Sequence, residues 1–308
     1  MSEGIPAWFI EKFDDTVKML AQQRDRRLAG MTSGGGMFVG NSIFFPRMGA
    51  VEMYDSPRFA SLALANGQMD MVEVTAAPKF VALGIWDPDI KKLNVNVAAQ
   101  YGRAAAMAGN RAEDNMIVAA LNSAVANGVT GVGLNGATTT TYPTTIGSYA
   151  AVADLDTIAA GVAQLGSQEM FEGEDICMVV PFKLKTNMAL DPYMALNNVR
   201  GNVPWNDLNW RTFQRLNDEN GAPITQASDA GTTGVDMFMF CRSAVSADYN
   251  NEMTTIDERI GASLTTMIGN WFQAGAAVTE ATGVIRIKSQ YNFTLMRKAI
   301  PIADQGPD

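Results

Sequence analysis

Histidine is absent from the 308 residues, and that absence limits the chemistry open to the chain. It removes Ser-His-Asp and Cys-His catalysis, the HExxH zinc site and most zinc or iron centres. Carboxylate, lysine and serine-lysine mechanisms survive. Acids stand side by side at Glu113/Asp114 and Asp257/Glu258. Adjacent acids on a helix or strand do not converge on one substrate, so a solvated or interfacial face explains them more simply than a catalytic pair. Asp87 and Asp89 flank Pro88, where turn chemistry accounts for them more cheaply than a cation site. Gly131, Gly133 and Gly136 spell GxGxxG, but a helical pattern precedes them and a threonine run with Pro143 follows. A dinucleotide site needs strand, glycines, helix, so residues 128–148 read as a flexible surface loop. The glycines of TSGGGMFVGN at 32–41 lack a following Lys-Ser/Thr and read as a flexible joint rather than a phosphate loop. Cys177 and Cys241 sit in apolar runs and read as buried thiols; a disulfide framework needs more cysteines and a secretory context. No catalytic residue, cofactor or metal ligand is expected.

The element that must position everything else is the stretch from Asn94 to Asn127. It is proline-free and dominated by alanine, the best helix former. Val97, Tyr101, Ala105, Ala108, Ala112, Met116, Ala119 and Leu121 recur at helical spacing, and Asn127-Gly128 supplies a stop. The helix would run roughly 30 residues, on the order of 45 Å. Gly102 and Gly109 fall on nearly one face, where a neighbour could cross closely. Such a helix is either the core helix of an α+β domain or a rigid strut in a protein that tiles into something larger.

Two segments before it carry apolar faces. Residues 4–30 place Trp8, Phe9, Phe13, Val17 and Leu20 at helical spacing and end in Arg24, Arg26 and Arg27, cations that suit a helix C-terminus. This amphipathic arm either docks on a neighbouring subunit, faces nucleic acid, or packs on its own domain. Residues 60–74, ASLALANGQMDMVEV, centre on Asn66-Gly67, the strongest short hairpin signal. Folding there sets Leu64 opposite Met69 and Leu62 opposite Met71, on a ribbon extended toward Tyr54 and Leu83. A lone hairpin is marginal in water, so its apolar face rests on a partner or on its own domain.

Beyond the long helix, Asp154–Met170 reads as a second helix with Asp154 as its N-cap. Residues 175–180 read as a buried strand, Pro181 as the start of a third helix, 191–220 as loop with Trp205 and Trp210 as anchors, and 235–241, 253–261, 264–279 and 283–289 as strands. Charged residues make up only 18 % of the chain against 47 % hydrophobic, below the roughly 25 % charge of typical soluble domains, which leaves surface for partners to cover. The net charge is -9, which argues against sequence-specific nucleic-acid binding but not against enclosing nucleic acid without gripping it. No apolar run reaches the ~20 residues of a membrane span.

The order of parts resembles a known family. IPAWFIEKF near the start, RAEDNMIVAALNSA at 111–124, TTIDERIG at 254–261 and the closing GVIRIKS are similar to the major capsid protein of tailed bacteriophages, the Hong Kong 97-type shell fold shared with encapsulins. The resemblance implies an α+β fold with an N-terminal arm (1–48), an extended hairpin E-loop (49–85), a peripheral domain (86–149 and 251–282) around a spine helix (94–127), and an α/β axial domain (150–250 and 283–308). It implies a shell subunit rather than an enzyme, resident in the virion after assembly in the host cytoplasm. Its partner is itself, in hexamers and pentamers around double-stranded DNA, with portal, scaffold or decoration proteins as further partners and no membrane. The subunit-interface residues expected are Trp8, Phe9, Phe13, Leu62, Leu64, Met69 and Met71. Some members form lysine–asparagine crosslinks; the ribbon holds one lysine, Lys79, far from the hairpin tip, so none is expected. Some members lose an N-terminal scaffolding segment; the sequence opens at Met1, and no such removal is expected. An encapsulin-like compartment shell and, behind it, a carboxylate enzyme are the competing readings.

Overall fold

A computed structural model describes residues 25–28, 30–48, 69–86, 97–133, 138–167, 174–189, 208–225, 232–257 and 265–292. Among these, one long helix and three sheets share a continuous apolar core that runs from Leu28 to Tyr291. The long helix, α1, spans Val97–Asn127. It ends where Gly128 turns left-handed, at φ 74°, as the Asn-Gly pair requires.

The central layer is an antiparallel sheet in the order β11-β12-β4, formed by β4 (Ala77–Trp86), β11 (Val245–Asp257) and β12 (Thr265–Val278). Both of its faces are used. Tyr249 pairs with Ala274, and Arg26, which is held by α1, stacks over the Tyr249 ring at 5.2 Å; α1 therefore lies on that face. On the other face Gly275 meets Ile43 so closely that a Cβ would come within 2.7 Å of its Cδ1.

Ile43 belongs to a second sheet, ordered β1-β2-β3-β5-β6. Its strands are β1 (Met37–Val39), β2 (Ser42–Met48), β3 (Met69–Thr75), β5 (Val129–Gly133) and β6 (Thr138–Thr141). The third sheet is ordered β7-β13-β10-β8-β9. It comprises β7 (Thr144–Gly147), β8 (Ile176–Val180), β9 (Asn209–Thr212), the fully buried β10 (Gly234–Cys241) and β13 (Val284–Gln290). Helices α2 (Leu155–Gly166) and α3 (Phe182–Ala189) accompany it. As the sequence indicates, Asp154 caps α2, accepting from the Thr157 N–H at 3.1 Å. Cys177 and Cys241 are free and buried in β8 and β10, and burial pushes both thiols up to about 12.

Several expectations are corrected. The loop expected at 128–148 contains three strands, because its threonines and valines suit a pleated surface. The joint expected at 32–41 is a two-residue hairpin with Val39 paired to Ser42, and Ser33 bridges Ser246 of β11. The ribbon register also differs. Met69 pairs with Met48 and Met71 with Pro46 on one side, and Met71 pairs with Val132 on the other. Both edges at Met71 are thus taken by β2 and β5; Leu62 and Leu64, expected opposite Met71 and Met69, lie outside the described residues. The stretch toward Leu83 leaves the ribbon altogether and runs as β4 against β12. On α1, Ala119 is exposed and the buried line passes through Ala105, Asp114, Ile117, Val118, Leu121 and Ala124. Among the described residues, nothing comes within 4 Å of where a Cβ at Gly102 would stand. The N-terminal helix, the Asn66-Gly67 turn, Trp205, Asp87 and Asp89 lie outside the described residues.

Gly147 ends β7 at φ 79°, and a Cβ there would collide with the Lys288 carbonyl oxygen of β13. Left-handed backbone alone costs about 1–2 kcal/mol for a residue with a Cβ. Gly147→Ala is expected to lower stability by about 2 kcal/mol or more once the collision is added, seen as a lower urea midpoint at unchanged slope.

Candidate functional site

The acids Glu113 and Asp114 are buried, which removes the solvated alternative of the solvated or interfacial face expected for them; Asp114 is wholly inaccessible. The cause is the chain segment at 26–28. It crosses α1 with backbone donors that need acceptors. Asp114 supplies both of its oxygens, accepting from the Arg27 N–H at 2.9 Å and the Leu28 N–H at 3.0 Å. Arg26 then reaches Glu113 at 2.9 Å and Asn110 at 3.2 Å, while the Arg27 guanidinium donates to the Thr212 carbonyl of β9 at 2.6 Å. Leu28 is buried beneath them. The acid pair is therefore a socket for residues 26–28, tying that segment to α1, to the third sheet and, through Ser33, to β11.

A second clamp sets the ribbon base. Arg47 on β2 donates through Nε and Nη2 to the two carboxylate oxygens of Asp70 on β3, the latter at 2.6 Å. Its Nη1 donates to the Thr279 carbonyl at 2.7 Å. Fork-to-carboxylate geometry is directional, so the β2–β3 pair leaves the central layer at a fixed angle. The hydrogen bond to Asp70, opposed by burial, raises the Arg47 pKa. In the third sheet, Arg286, Tyr149 and Asp236 form a comparable internal network at 2.5–2.8 Å. Burial first, then Asp236, pushes the Tyr149 phenol up to about 12. This network holds the strands together.

The sheet held by the Arg47 clamp has an apolar outer face. Strand alternation sends Ile43, Phe45 and Val72 into the core and leaves Met37, Val39, Phe44, Pro46, Met69 and Met71 outside. Met37 is 53 %, Val39 63 %, Met69 51 % and Met71 38 % accessible. Isolated exposed apolar residues need no explanation, but a contiguous set on adjacent strands marks an interaction surface. Two of the seven interface residues expected from sequence, Met69 and Met71, are thus brought together here; Trp8, Phe9, Phe13, Leu62 and Leu64 lie outside the described residues. Met37, Val39, Phe44 and Pro46 are not among the expected interface residues. Phe44 and Pro46 lie in a run, 42–54, that the sequence marks as strand-like, while the glycines flanking Met37 and Val39 made 32–41 read as a joint.

Where α1, β3, β5 and β12 meet, a cleft of about 770 Å³ opens. Its walls carry mainly small side chains and present no convergent acid pair.

Removing the socket tests its role. Asp114→Ala leaves two N–H groups without acceptors, at about 1–3 kcal/mol for each such group when buried. The expected cost is about 3 kcal/mol in chemical denaturation, with faster tryptic cleavage after Arg26 and Arg27. Glu113→Gln, which can still accept from Arg26, is expected to cost less than about 1 kcal/mol.

The comparisons bear on a chain with this geometry. A family model described as "Phage capsid protein" matches residues 5–188, more than half the chain. Among solved structures, the capsid of the Cyanophage P-SCSP1u is similar at 14 % identity and a TM-score of 0.62, covering 93 % of this chain and 94 % of that one. A structure from Mycobacterium phage Che8 is similar at 16 % identity and a TM-score of 0.57, covering 93 % and 98 %. The acid-stable capsid of Helicobacter pylori bacteriophage KHP30 follows at 9 % identity and a TM-score of 0.62, covering 91 % and 94 %. At these identities the structures speak to fold. No curated protein matches the sequence.

Proposed function

This chain belongs to the phage capsid protein family and is a major capsid protein, a subunit of the virion shell; we propose that its copies close into hexamers and pentamers of an icosahedral lattice around the double-stranded DNA of a tailed phage. The observation that carries the arrangement is the outer apolar face of β1, β2 and β3. It is clamped at a fixed angle by Arg47 and left bare in the single chain, as a surface reserved for a second copy would be. Met69 and Met71, continued by Leu62 and Leu64 beyond the ribbon base, are its contact residues. Trp8, Phe9 and Phe13 belong to an arm that reaches another copy from the Glu113/Asp114 socket.

In this reading α1 is the spine helix and, with β4, β11 and β12, forms the peripheral domain. The sheet β7-β13-β10-β8-β9, with α2 and α3, forms the axial domain. Sheet membership supports boundaries near Thr144, Val245 and Val284, close to the 150, 251 and 283 expected from the sequence. Residues between β2 and β3 form the tip of the E-loop. A net charge of -9 suits an inner wall along which packed DNA slides, since like charges repel. Portal, scaffold and decoration proteins are the remaining partners, assembly takes place in the host cytoplasm, and the subunit acts by burial and pairing rather than by catalysis.

The double variant Met69→Asp, Met71→Asp tests this. Exposed substitutions of this kind stay within about 0.5 kcal/mol, so the monomer should keep its circular dichroism and melting curve. It should form no shells by electron microscopy, as should Leu62→Asp with Leu64→Asp. Normal shells from either variant refute the role given to the ribbon.

A further inference from the structure

Strand β4 has one edge that the single chain leaves open. It is an outer strand of its sheet, with β12 on one side and, among the described residues, no strand on the other. It runs for ten residues, and from Ala77 to Trp86 it pairs with β12 residue for residue. The outer strands of the other two sheets are only three or four residues long. On the far side of its own sheet β11 is longer, but its register shifts between Asn250 and Met253, and Ser33 bridges its start. Natural sheets blunt an open edge with charge, proline, a bulge or brevity. Pro78 and Lys79 guard one end of β4. The rest, FVALGIW at 80–86, has no charge, no proline and no bulge. Such an edge is a template for another strand.

Successive residues of β4 face opposite ways. Val81 and Leu83 are half-buried, while Phe80, Ala82 and Gly84 are exposed, Phe80 at 66 %. Proline in a strand turns its nitrogen away from the ladder. Pro78, which pairs with Gln273, therefore sets the even positions with N–H and C=O outward. The open edge offers the peptide groups of Phe80, Ala82 and Gly84.

These three residues complement themselves. With two copies of β4 antiparallel about a two-fold axis at Ala82, Ala82 meets Ala82 of the second copy. Phe80 meets Gly84 of the second copy, and Val81 meets Leu83 of the second copy. An aromatic ring across from an edge glycine covers the backbone that glycine leaves bare, and symmetry makes the fit twice. A centre one residue away, at Val81 or Leu83, sets Gly84 against Pro78 or Ala82 instead, with no ring over it. We infer that β4 of one copy pairs antiparallel with β4 of a second copy, so that their two sheets become one. A two-fold contact is isologous, whereas contacts within a ring of five or six run head to tail. The β4 pair therefore joins one ring to the next, a placement that rests on the shell reading.

Disulfide trapping in full-length protein reads the register. Ala82 faces Ala82 of the second copy with Cα atoms about 5.5 Å apart, as in any hydrogen-bonded antiparallel pair, and a disulfide spans about 4.4–6.8 Å. Gly84 lies about 14 Å along the strands from Gly84 of the second copy, at about 3.4 Å per residue. The native Cys177 and Cys241 are buried. Chains bearing Ala82→Cys, oxidised after assembly, are expected to run as dimers on a non-reducing gel, and chains bearing Gly84→Cys as monomers. Any other pattern overturns the pairing. A second variant covers failure of the cysteine chains to assemble. Ala82→Lys, at an exposed position, sets like charges directly opposite each other. It should keep the parent melting curve and stop at free rings by sedimentation and electron microscopy; closed shells from it also overturn the pairing. Failure of the shell reading is separately visible: the unsubstituted chain then gives no particles, while the Ala82→Cys dimer still forms.

Discussion

Strand β12 is covered on both faces, and the close approach this demands governs the rest of the molecule. From Ala274 to Ala277 it carries only alanine and glycine. On one face Gly275 receives Ile43 from β2, and Ala274 to Ala277 line the cleft that opens toward α1. A bulky side chain at Gly275 would push β2 outward by more than the core tolerates, since interiors are packed like crystals. The β2–β3 pair and α1 are joined through one shared apolar core.

Onto that core two charged devices fasten the extensions. The Asp114 carboxylate satisfies two backbone donors at the arm root, and Arg47 satisfies Asp70 and a carbonyl at the ribbon base. Both work through charge-assisted hydrogen bonds with little water access, where such bonds are strong and their loss is costly. An extension that must find a neighbouring copy benefits from a fixed point of departure, because disorder at the root would be frozen out on assembly at the expense of affinity. The acids that looked most like catalytic residues serve this mechanical purpose instead.

The surface divides in the same way. Charge is sparse over the whole chain; among the described residues, Met37, Val39, Met69 and Met71 expose apolar side chains together on the outer face of β1, β2 and β3, while Phe80, Tyr142, Phe182 and Tyr249 are exposed elsewhere. Hydrophobic attraction is non-directional; direction comes from the clamps that aim the faces. A shell protein built this way needs no reactive group, which accords with a chain that has no histidine.

Elements with a strong local period were legible from the sequence alone. The long helix ends at Asn127 as its Asn-Gly stop indicates, the Asp154 cap forms, and the runs at β8, β10, β12 and β13 are strands. Burial on one face, or on both, writes each of these into adjacent residues. The capsid resemblance was legible for the same reason, in the order of those elements. What adjacent residues do not encode is who sits beside whom. Met69 and Met71 were recognised as an outward apolar pair, yet their neighbours on the sheet are Met48, Pro46 and Val132, strands brought together only by closing loops of very different length. Glu113 and Asp114 read as a solvated or interfacial face because the donors they serve lie more than 80 positions earlier in the chain. A hydrogen-bond demand of that kind exists only once the backbone has crossed the helix, so the tertiary structure alone could decide it.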